Sequence, residues 1–390
     1  MLGNFIYYNP TKLYFGTEVY SNLIEALKNF GPKILLTYGG GSIKANGVYD
    51  TVIKALKETG KEVIELSGVM PNPTLAKLNE GIKIARENDI DLILAVGGGS
   101  TVDYSKGVAA AAWYEGNAWE NFWVKQNEPA PDQKVIPVGS VLTLAGTGSE
   151  MNGGSVITDE PNKLKLGKVF GERLIPKFAI LNPEYTFSLP KNQMVAGIYD
   201  IMSHLMEQYF SGDDDSTTDY MIEGLMRSVI ASSRVAVKDP LNYEARSNIM
   251  WCATWALNTL LKMGKKGDWM VHMIAHTIGA FTHATHGMAL SAISGAYYRL
   301  VMNFGEHRFA RFAKVVWEIP AENKTDSELA QEGIAALENW IKEIGAASDV
   351  EVLGVTKDMI NEIAEATILG GGYKRITKED IVEILKNSFK

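Results

Sequence analysis

The stretch LILAVGGGSTVDYSK, residues 92–106, joins an apolar run to a glycine-rich turn and a segment with helical spacing. An uninterrupted run such as LILAV is typical of a strand buried on both faces of a parallel sheet. Glycines at a strand-to-helix turn let the main chain approach a ligand closely, and the first amides of the helix favour an anion. This stretch therefore predicts a buried strand whose carboxyl end binds an anion such as phosphate.

The same alternation of apolar runs and amphipathic segments extends over the first half of the chain. Strands are predicted at residues 33–38 (KILLTY), 62–66 (EVIEL), 92–96 (LILAV) and 135–138 (VIPV), and helices at 48–59, 74–88 and 101–113. This alternation predicts an open, mostly parallel α/β sheet that is covered on both faces and binds ligands at the carboxyl ends of its strands.

Beyond Leu189 and Pro190 long helical patterns replace the strand-like runs, as at residues 220–237, 245–263 and 328–344. Because helices seldom continue through proline, we predict an α/β domain at 1–190 and an all-helical domain at 191–390. No charged residue stands between Asp268 and Arg299, but the four histidines in this interval argue against a membrane span. A buried helical region around a polar site explains the interval better.

Length and composition describe a folded protein and exclude several classes of partner. The chain has 390 residues, 46% hydrophobic, with a net charge of −8 and no long basic block, so binding to nucleic acid is not expected. One cysteine, Cys252, cannot form an intrachain disulfide, so a transition metal would have to be held by histidines and carboxylates. No signal peptide is recognisable at the start, which predicts a cytoplasmic protein.

Two further glycine-rich turns follow predicted strands, at residues 39–44 and 143–152. A tight turn would explain one such cluster, but three at the ends of consecutive strands favour a nucleotide site. The usual dinucleotide fingerprint is incomplete, because Lys44 and Val102 occupy its last glycine position, and no phosphate-loop motif of the ATPase type occurs. The sequence therefore predicts a nucleotide site that lacks the common fingerprints.

Five of the six histidines fall in two short helical segments. His204 follows Asp200 by four residues, His276 follows His272 by four, and two more stand at 283 and 286. Residues four apart share one face of a helix. Asp200 has uncharged neighbours and no Lys or Arg within a helical turn, so a divalent cation is a plausible counter-charge. Imidazoles with one carboxylate suit Fe²⁺, Zn²⁺, Mn²⁺ or Co²⁺ better than Ca²⁺ or Mg²⁺.

Taken together, these motifs resemble the iron-containing alcohol dehydrogenase family, in its butanol dehydrogenase and aldehyde reductase branch, over essentially the whole chain. The marks are GGGSTVDYSK, TLAGTGSE, the D-x-x-x-H motif and the H-x-x-x-H motif followed by His286 and glycine. The resemblance implies a dehydroquinate synthase-like architecture in which Fe²⁺, or another divalent metal such as Zn²⁺, is bound by Asp200, His204, His272 and His286. It places His276 near the nicotinamide as the candidate catalytic residue, whereas His283 has no counterpart and by spacing alone competes with His286.

The resemblance also implies a set of dinucleotide contacts: Gly40, Gly41, Ser42, Asn72, Gly98, Gly99, Ser100, Asp103, Thr143, Thr147, Asn152, Lys165 and Tyr185. NAD-selective relatives place an aspartate after the first strand, where this chain has Gly39 and Gly40. NADP(H) is therefore favoured and NAD(H) is possible, and Lys44 could attract a 2′-phosphate. The chain departs from the family pattern at Leu144 and Asn182.

The activity implied is reversible hydride transfer between nicotinamide C4 and the carbonyl carbon of an aldehyde, with the metal as Lewis acid. Alternatives on the same architecture are a polyol dehydrogenase of the glycerol type and a dehydroquinate synthase-like lyase. From another class, a metal-dependent hydrolase or a non-catalytic nucleotide sensor remains open, although Met273 replaces the glutamate of the H-E-x-x-H hydrolase motif. We expect a homodimer, with residues 4–15 as an interface hairpin, and no membrane partner.

Overall fold

The computed structural model describes residues 4–212 and 215–390, which divide into two compact units. The N-terminal unit comprises residues 8–189, and the helical unit comprises residues 190–390 together with residues 4–7. The predicted fold class, a parallel α/β domain and an all-helical domain, is confirmed. The grouping of residues 4–7 with the helical unit is a feature that the sequence did not predict.

Eight strands form the sheets of the N-terminal unit. In chain order they are β1 (Lys12–Phe15), β2 (Lys33–Tyr38), β3 (Glu62–Leu66), β4 (Leu92–Gly97), β5 (Val138–Leu142), β6 (Gly154–Asp159), β7 (Leu164–Val169) and β8 (Phe178–Leu181). Six of them make one parallel sheet in the order β1-β8-β5-β4-β2-β3, and β6 and β7 make a separate antiparallel pair. The carboxyl ends of β2, β4 and β5 therefore lie side by side at one edge of the sheet.

Helices cover both faces of this sheet. They are α1 (Val19–Leu27), α2 (Ser42–Ala45), α3 (Val48–Glu58), α4 (Leu75–Asn88) and α5 (Gly99–Ala111), followed by a π-helical turn at Trp119–Val124. Alternate residues of a strand point to opposite faces. Accordingly, Leu36 packs with the side chains of α1 and α3, whereas Leu35 packs with those of α4 and α5. This two-sided burial explains why the strands lack the polar alternation of a half-exposed sheet.

Three of the four predicted strands are found, and the fourth is misplaced. The predicted strand at 135–138 is wrong, because the strand begins at Val138 and runs to Leu142. Pro137 ends the preceding segment because it has no N–H to give to a neighbouring strand, although its carbonyl accepts from Ile93 N at 3.0 Å. The interface hairpin predicted at 4–15 is also wrong: Lys12–Phe15 pairs in parallel with Phe178–Leu181, and residues 4–11 form no strand.

The described part of the helical unit contains helices and no strand. They are α6 (Lys191–Tyr209), α7 (Thr217–Ala236), α8 (Tyr243–Ala256), α9 (Met270–Thr282), α10 (His286–Val301), α11 (Glu306–Val315), α12 (Asp326–Ile344), α13 (Ile360–Ala366) and α14 (Lys378–Asn387). The helix predicted to reach residue 263 ends earlier, at Ala256. Among the residues described, none of these helices combines the length and the apolar character that crossing a membrane requires.

Candidate metal and dinucleotide sites

The D-x-x-x-H motif lies on α6, a helix that is largely buried in the helical unit. Every residue of α6 from Met194 to Tyr209 is buried. Asp200 and His204 are one helical turn apart, so their side chains leave the same face, and His204 Nε2 lies 3.7 Å from Asp200 Oδ1. A carboxylate and an imidazole thus meet in the interior of the helical unit.

Two more imidazoles approach the same carboxylate oxygen from α9 and α10. The Nε2 atoms of His272 and His286 each lie 3.6 Å from Asp200 Oδ1. The approach of α10 to α6 depends on Gly287, because a Cβ there would lie 1.9 Å from the carbonyl oxygen of Ala196. A glycine after His286 therefore lets the first turn of α10 contact the main chain of α6.

The spacing of these donor atoms matches the coordination shell of a first-row metal ion. Ligands held about 2.1 Å from a tetrahedral ion are about 3.4 Å from one another. One donor atom each from Asp200, His204 and His272 lie within 4.8 Å of one another. His272 Nε2 is buried and makes no hydrogen bond with any described residue, since its contact with Asp200 is too long. The residues therefore fit a divalent transition metal in both geometry and donor chemistry.

Burial and nearby carboxylates act in opposite directions on these histidines. Burial lowers the pKa of His204 to about 4. Burial also acts to lower the pKa of His272, but the negative charges of Glu207 and Asp200 and the hydrogen bond to Glu207 outweigh it and raise that pKa to about 9. The field around His272 is therefore negative, as a cation site requires.

The other histidines of the two segments have different surroundings. The buried ring of His276 lies 5.1 Å from that of His286 and 6.2 Å from that of His272, measured between centroids. His283 is exposed at the end of α9, where its backbone is left-handed with φ 58°. Spacing alone left His283 and His286 as competitors, and the structure brings His286 to Asp200.

Sequence reasoning missed two residues beside the cluster, Glu207 and Trp269. Glu207 hydrogen-bonds the Nδ1 atom of His272, and the Trp269 ring lies 5.6 Å from that imidazole. The position of Glu207 three residues after His204, on the same helix face, was a usable signal. Trp269 offered none, because its contact depends on a left-handed backbone (φ 65°) directly before α9.

In the N-terminal unit, the three glycine-rich turns lie at one edge of the sheet, after β2, β4 and β5. The second and third turns are in direct contact, since Thr143 N donates to Gly97 O at 2.9 Å. A Cβ at Gly99 would lie 2.1 Å from Thr147 Oγ1, and one at Gly98 would lie 3.1 Å from Leu144 Cβ. These glycines thus allow the start of α5 to pack against the third turn.

Asp103 and Lys106 hold the third turn against α5. The carboxylate of Asp103 accepts from Ser149 Oγ and from Val156 N, and Lys106 Nζ donates to the carbonyl oxygens of Ser149 and Asn152 at 3.0 and 3.1 Å. Burial raises the pKa of Asp103 and lowers that of Lys106 to about 8. The structure thus gives Asp103 a role in shaping the turn, and its contact with a dinucleotide stays a prediction.

The remaining predicted contacts lie around the same edge. Lys165 Nζ on β7 donates to Asn72 Oδ1 at 2.7 Å, which brings two of them together. Gly40 and Gly41 are exposed between β2 and α2, and Ser42 is exposed at the start of α2. Ser100 lies in the first turn of α5, and Tyr185 follows β8. Lys44 already faces a carboxylate, because its Nζ lies 4.0 Å from Glu65 Oε2.

Comparison with known protein families covers nearly the whole chain. The family model described as iron-containing alcohol dehydrogenase matches residues 10–183, and the model of the C-terminal part of the Fe-containing alcohol dehydrogenase family matches residues 194–389. The chain belongs to the iron-containing alcohol dehydrogenase family. Members of this family are oxidoreductases that interconvert alcohols and aldehydes with NAD(H) or NADP(H), and the predicted enzyme class is confirmed.

Individual members of the family are similar to the chain over at least nine-tenths of its length. It is 41% identical over 390 residues to a probable NADH-dependent butanol dehydrogenase of Bacillus subtilis, with 99% of both chains covered. It is 35% identical to the NADPH-dependent aldehyde reductase YqhD of Escherichia coli, covering 91% of this chain and 90% of that protein. The crystal structure of NADH-dependent butanol dehydrogenase A from Thermotoga maritima superposes with a TM-score of 0.94 at 37% identity, covering 100% of this chain and 99% of that one.

Proposed function

We propose that the chain reversibly reduces aldehydes of the butanal type to alcohols, with a divalent metal held by Asp200, His204, His272 and His286. The observation that carries the ligand set is the convergence of three Nε2 atoms on one carboxylate oxygen at 3.6–3.7 Å. Donors of this kind hold Fe²⁺ or Zn²⁺. When bound, such an ion supplies Lewis acidity toward the carbonyl oxygen of the aldehyde, and the dihydronicotinamide supplies the hydride.

The helical unit supports an uncharged substrate. Its segment between Asp268 and Arg299, which contains α9 and most of α10, has no lysine or arginine that could hold a phosphate group. We assign the proton transfer at the alcohol oxygen to His276, whose buried ring is adjacent to that of His286. Replacement of His276 by phenylalanine should therefore lower turnover by about 10²- to 10⁴-fold while the metal is retained.

For the nicotinamide cofactor, we propose that NADP(H) is accepted and favoured, with NAD(H) as the alternative. The support is the first glycine-rich turn, where no carboxylate stands at Gly39 or Gly40 to repel a 2′-phosphate. Lys44 could attract that phosphate only in competition with Glu65. The names of the relatives include both cofactors, so the preference has to be measured on this chain.

We also propose a homodimer. Among the described residues, strand β1 stands at the edge of the six-stranded sheet and pairs with β8, and an edge strand of this kind is a template for pairing with another chain. The chain just before it exposes large apolar side chains, with Ile6 91% and Phe5 51% exposed. A monomer by light scattering at micromolar concentration would contradict this proposal. The cytoplasmic location stays a prediction from the sequence.

The decisive experiment follows oxidation of NADPH and NADH with butanal and a panel of aldehydes, after loading with Fe²⁺ or Zn²⁺. Turnover is expected for the wild-type enzyme and for His307→Ala, a control that changes an exposed histidine. His272→Ala and Asp200→Ala should lose both bound metal and turnover and keep dinucleotide affinity. A His272→Ala enzyme with normal metal content and turnover would show that the ligand assignment is wrong.

A further inference from the structure

The carboxylate of Glu207 is completely buried and holds His272 at two points. It hydrogen-bonds the ring at Nδ1, and its Oε1 accepts from the backbone N of His272 at 3.2 Å. Ser203 Oγ, one turn earlier on α6, adds a weaker contact to the same carboxylate at 3.4 Å. The main-chain carbonyl of Glu207 also accepts from Asp268 N at 2.8 Å, just before α9 begins. One residue of α6 thus fixes both the ring and the backbone of the first histidine of α9.

The buried charge of Glu207 is paired with a histidine that faces the donor cluster. In the described part of the chain, no lysine or arginine forms an ion pair with it, and its one ion-pair partner is His272. A buried carboxylate without a cationic partner is costly. The hydrogen bond from Nδ1–H leaves the lone pair of His272 on Nε2, the atom that lies 3.6 Å from Asp200 Oδ1. The negative charge of Glu207 therefore acts through the imidazole toward the centre of the donor cluster.

We propose that Glu207 is a positioning residue of the metal site, which fixes the tautomer and the orientation of His272 and increases its affinity for the cation. This inference rests on the proposed ligand set. Carboxylates that accept the second N–H of a metal-bound imidazole raise the basicity of that imidazole, and their loss weakens metal binding by about 10- to 100-fold. Helix α6 then contributes to the site in two ways. It supplies two of the proposed ligands, Asp200 and His204, and through Glu207 it orients a third, His272 on α9.

Glu207→Gln tests the proposal with almost no change in volume. If the amide oxygen accepts from Nδ1–H, the amide NH₂ group faces the backbone N–H of His272, and two donors oppose each other. If the amide donates to Nδ1, the proton of the neutral imidazole moves to Nε2, where it blocks coordination. Both arrangements weaken the contribution of His272 to the site.

A second buried glutamate of the helical unit provides the matched control. Glu223 is 2% exposed, accepts from Tyr209 Oη at 2.6 Å and pairs with Arg311. Its polar partners, Tyr209 and Arg311, are not among the four proposed ligands. Glu223→Gln should lower the thermal stability and leave metal affinity unchanged, because its carboxylate serves packing and an ion pair.

The measurements are the Kd for Zn²⁺, by competition with a chelator, and the visible spectrum of the Co²⁺-substituted protein. For Glu207→Gln we expect a Kd about 10- to 100-fold higher and an altered Co²⁺ spectrum, with unchanged NADPH affinity. A Zn²⁺ Kd within twofold of the wild-type value would overturn the inference. If Glu207→Gln does not fold, Glu207→Asp decides by the same criterion, because its shorter side chain withdraws the carboxylate from Nδ1.

The two proposals fail in different ways. If the ligand set is wrong, His272→Ala binds Zn²⁺ as tightly as the wild-type protein does. If only the role of Glu207 is wrong, His272→Ala loses the metal and Glu207→Gln keeps it. A double-variant cycle completes the test: adding Glu207→Gln to His272→Ala should cause no further loss of affinity, because Glu207 acts through His272.

Discussion

Replacing Gly287 with alanine should push α10 away from α6 at the metal site. The added Cβ would lie 1.9 Å from the carbonyl oxygen of Ala196 and 2.5 Å from its carbonyl carbon. Ordinary contacts of a Cβ begin near 3.4 Å, so the helices must separate by about 1.5 Å. Both atoms of Ala196 belong to the main chain of a buried helix, so no side-chain rotation can relieve the clash.

A displacement of this size would remove His286 from the donor cluster. Its Nε2 atom lies 3.6 Å from Asp200 Oδ1, and the separation would grow to about 5 Å, whereas metal–ligand distances tolerate changes of about 0.2 Å. We expect the Zn²⁺ Kd to rise at least about tenfold, on the scale seen when a metal site loses support from its surroundings. Overpacking should also lower the free energy of unfolding by about 1–3 kcal/mol.

The assay combines chelator competition for Zn²⁺ with thermal unfolding of the metal-free protein. Gly295→Ala is the matched control on the same helix, because its Cβ would meet the flexible side chain of Glu338, at 2.8 Å from Oε1. That variant should keep its metal affinity and lose little stability, since alanine is favoured over glycine in helices by about 1 kcal/mol. Wild-type Zn²⁺ affinity in Gly287→Ala, or an equal loss in Gly295→Ala, would refute the reasoning.

Two further variants test the cofactor preference and the pH dependence of stability. Gly40→Asp should raise the KM for NADPH at least about tenfold and leave the KM for NADH within about twofold of the wild-type value. The added side chain has room, because a Cβ at residue 40 has no atom within 4 Å, and its negative charge would repel a 2′-phosphate. Gly40→Asn is the neutral control, and equal effects on both cofactors would contradict the prediction. Burial raises the pKa of Asp268 from its ordinary value of 3.8 to about 6, despite its hydrogen bond from Tyr297. The folded protein then keeps a proton that the unfolded chain has lost, so this residue makes stability fall as pH rises from about 4 to 6, by about 3 kcal/mol in total. Asp268→Asn should flatten that decline in chemical unfolding experiments, and an unchanged slope between pH 4 and 6 would show that Asp268 is not its source.

Local sequence patterns predicted which strands and helices carry the site more accurately than they predicted the residues at which those elements begin and end. The strands at 33–38 and 92–96 were recognisable because they are buried on both faces and consist mainly of apolar residues. The strand at 62–66 is the partly exposed edge of the sheet, and its apolar residues Val63, Ile64 and Leu66 made it recognisable. The polar strand Leu164–Val169 was missed, because its residues are half exposed and it pairs only with its antiparallel neighbour. The hairpin expected at 4–15 failed because Lys12–Phe15 pairs with a strand more than 160 residues away in the chain, and local pattern carries no information on such a partner.

The sequence by itself determined the alternation of strands and helices in the first half of the chain, the helical character of the second half and the donor types available for a metal. The hydrophobic period, the placement of glycines and the four-residue spacing of Asp200 and His204 are local properties of the sequence. Each of them fixes the direction of a side chain or the path of the backbone within a single helix, strand or turn. The tertiary structure decided which side chains meet. It brought His286, and not His283, to Asp200, because Gly287 lets α10 contact α6. It also placed the carboxylate of Glu207 against the ring and backbone N of His272, because α9 packs against α6. These contacts join positions up to 91 residues apart, and only the packing of buried helices specifies them.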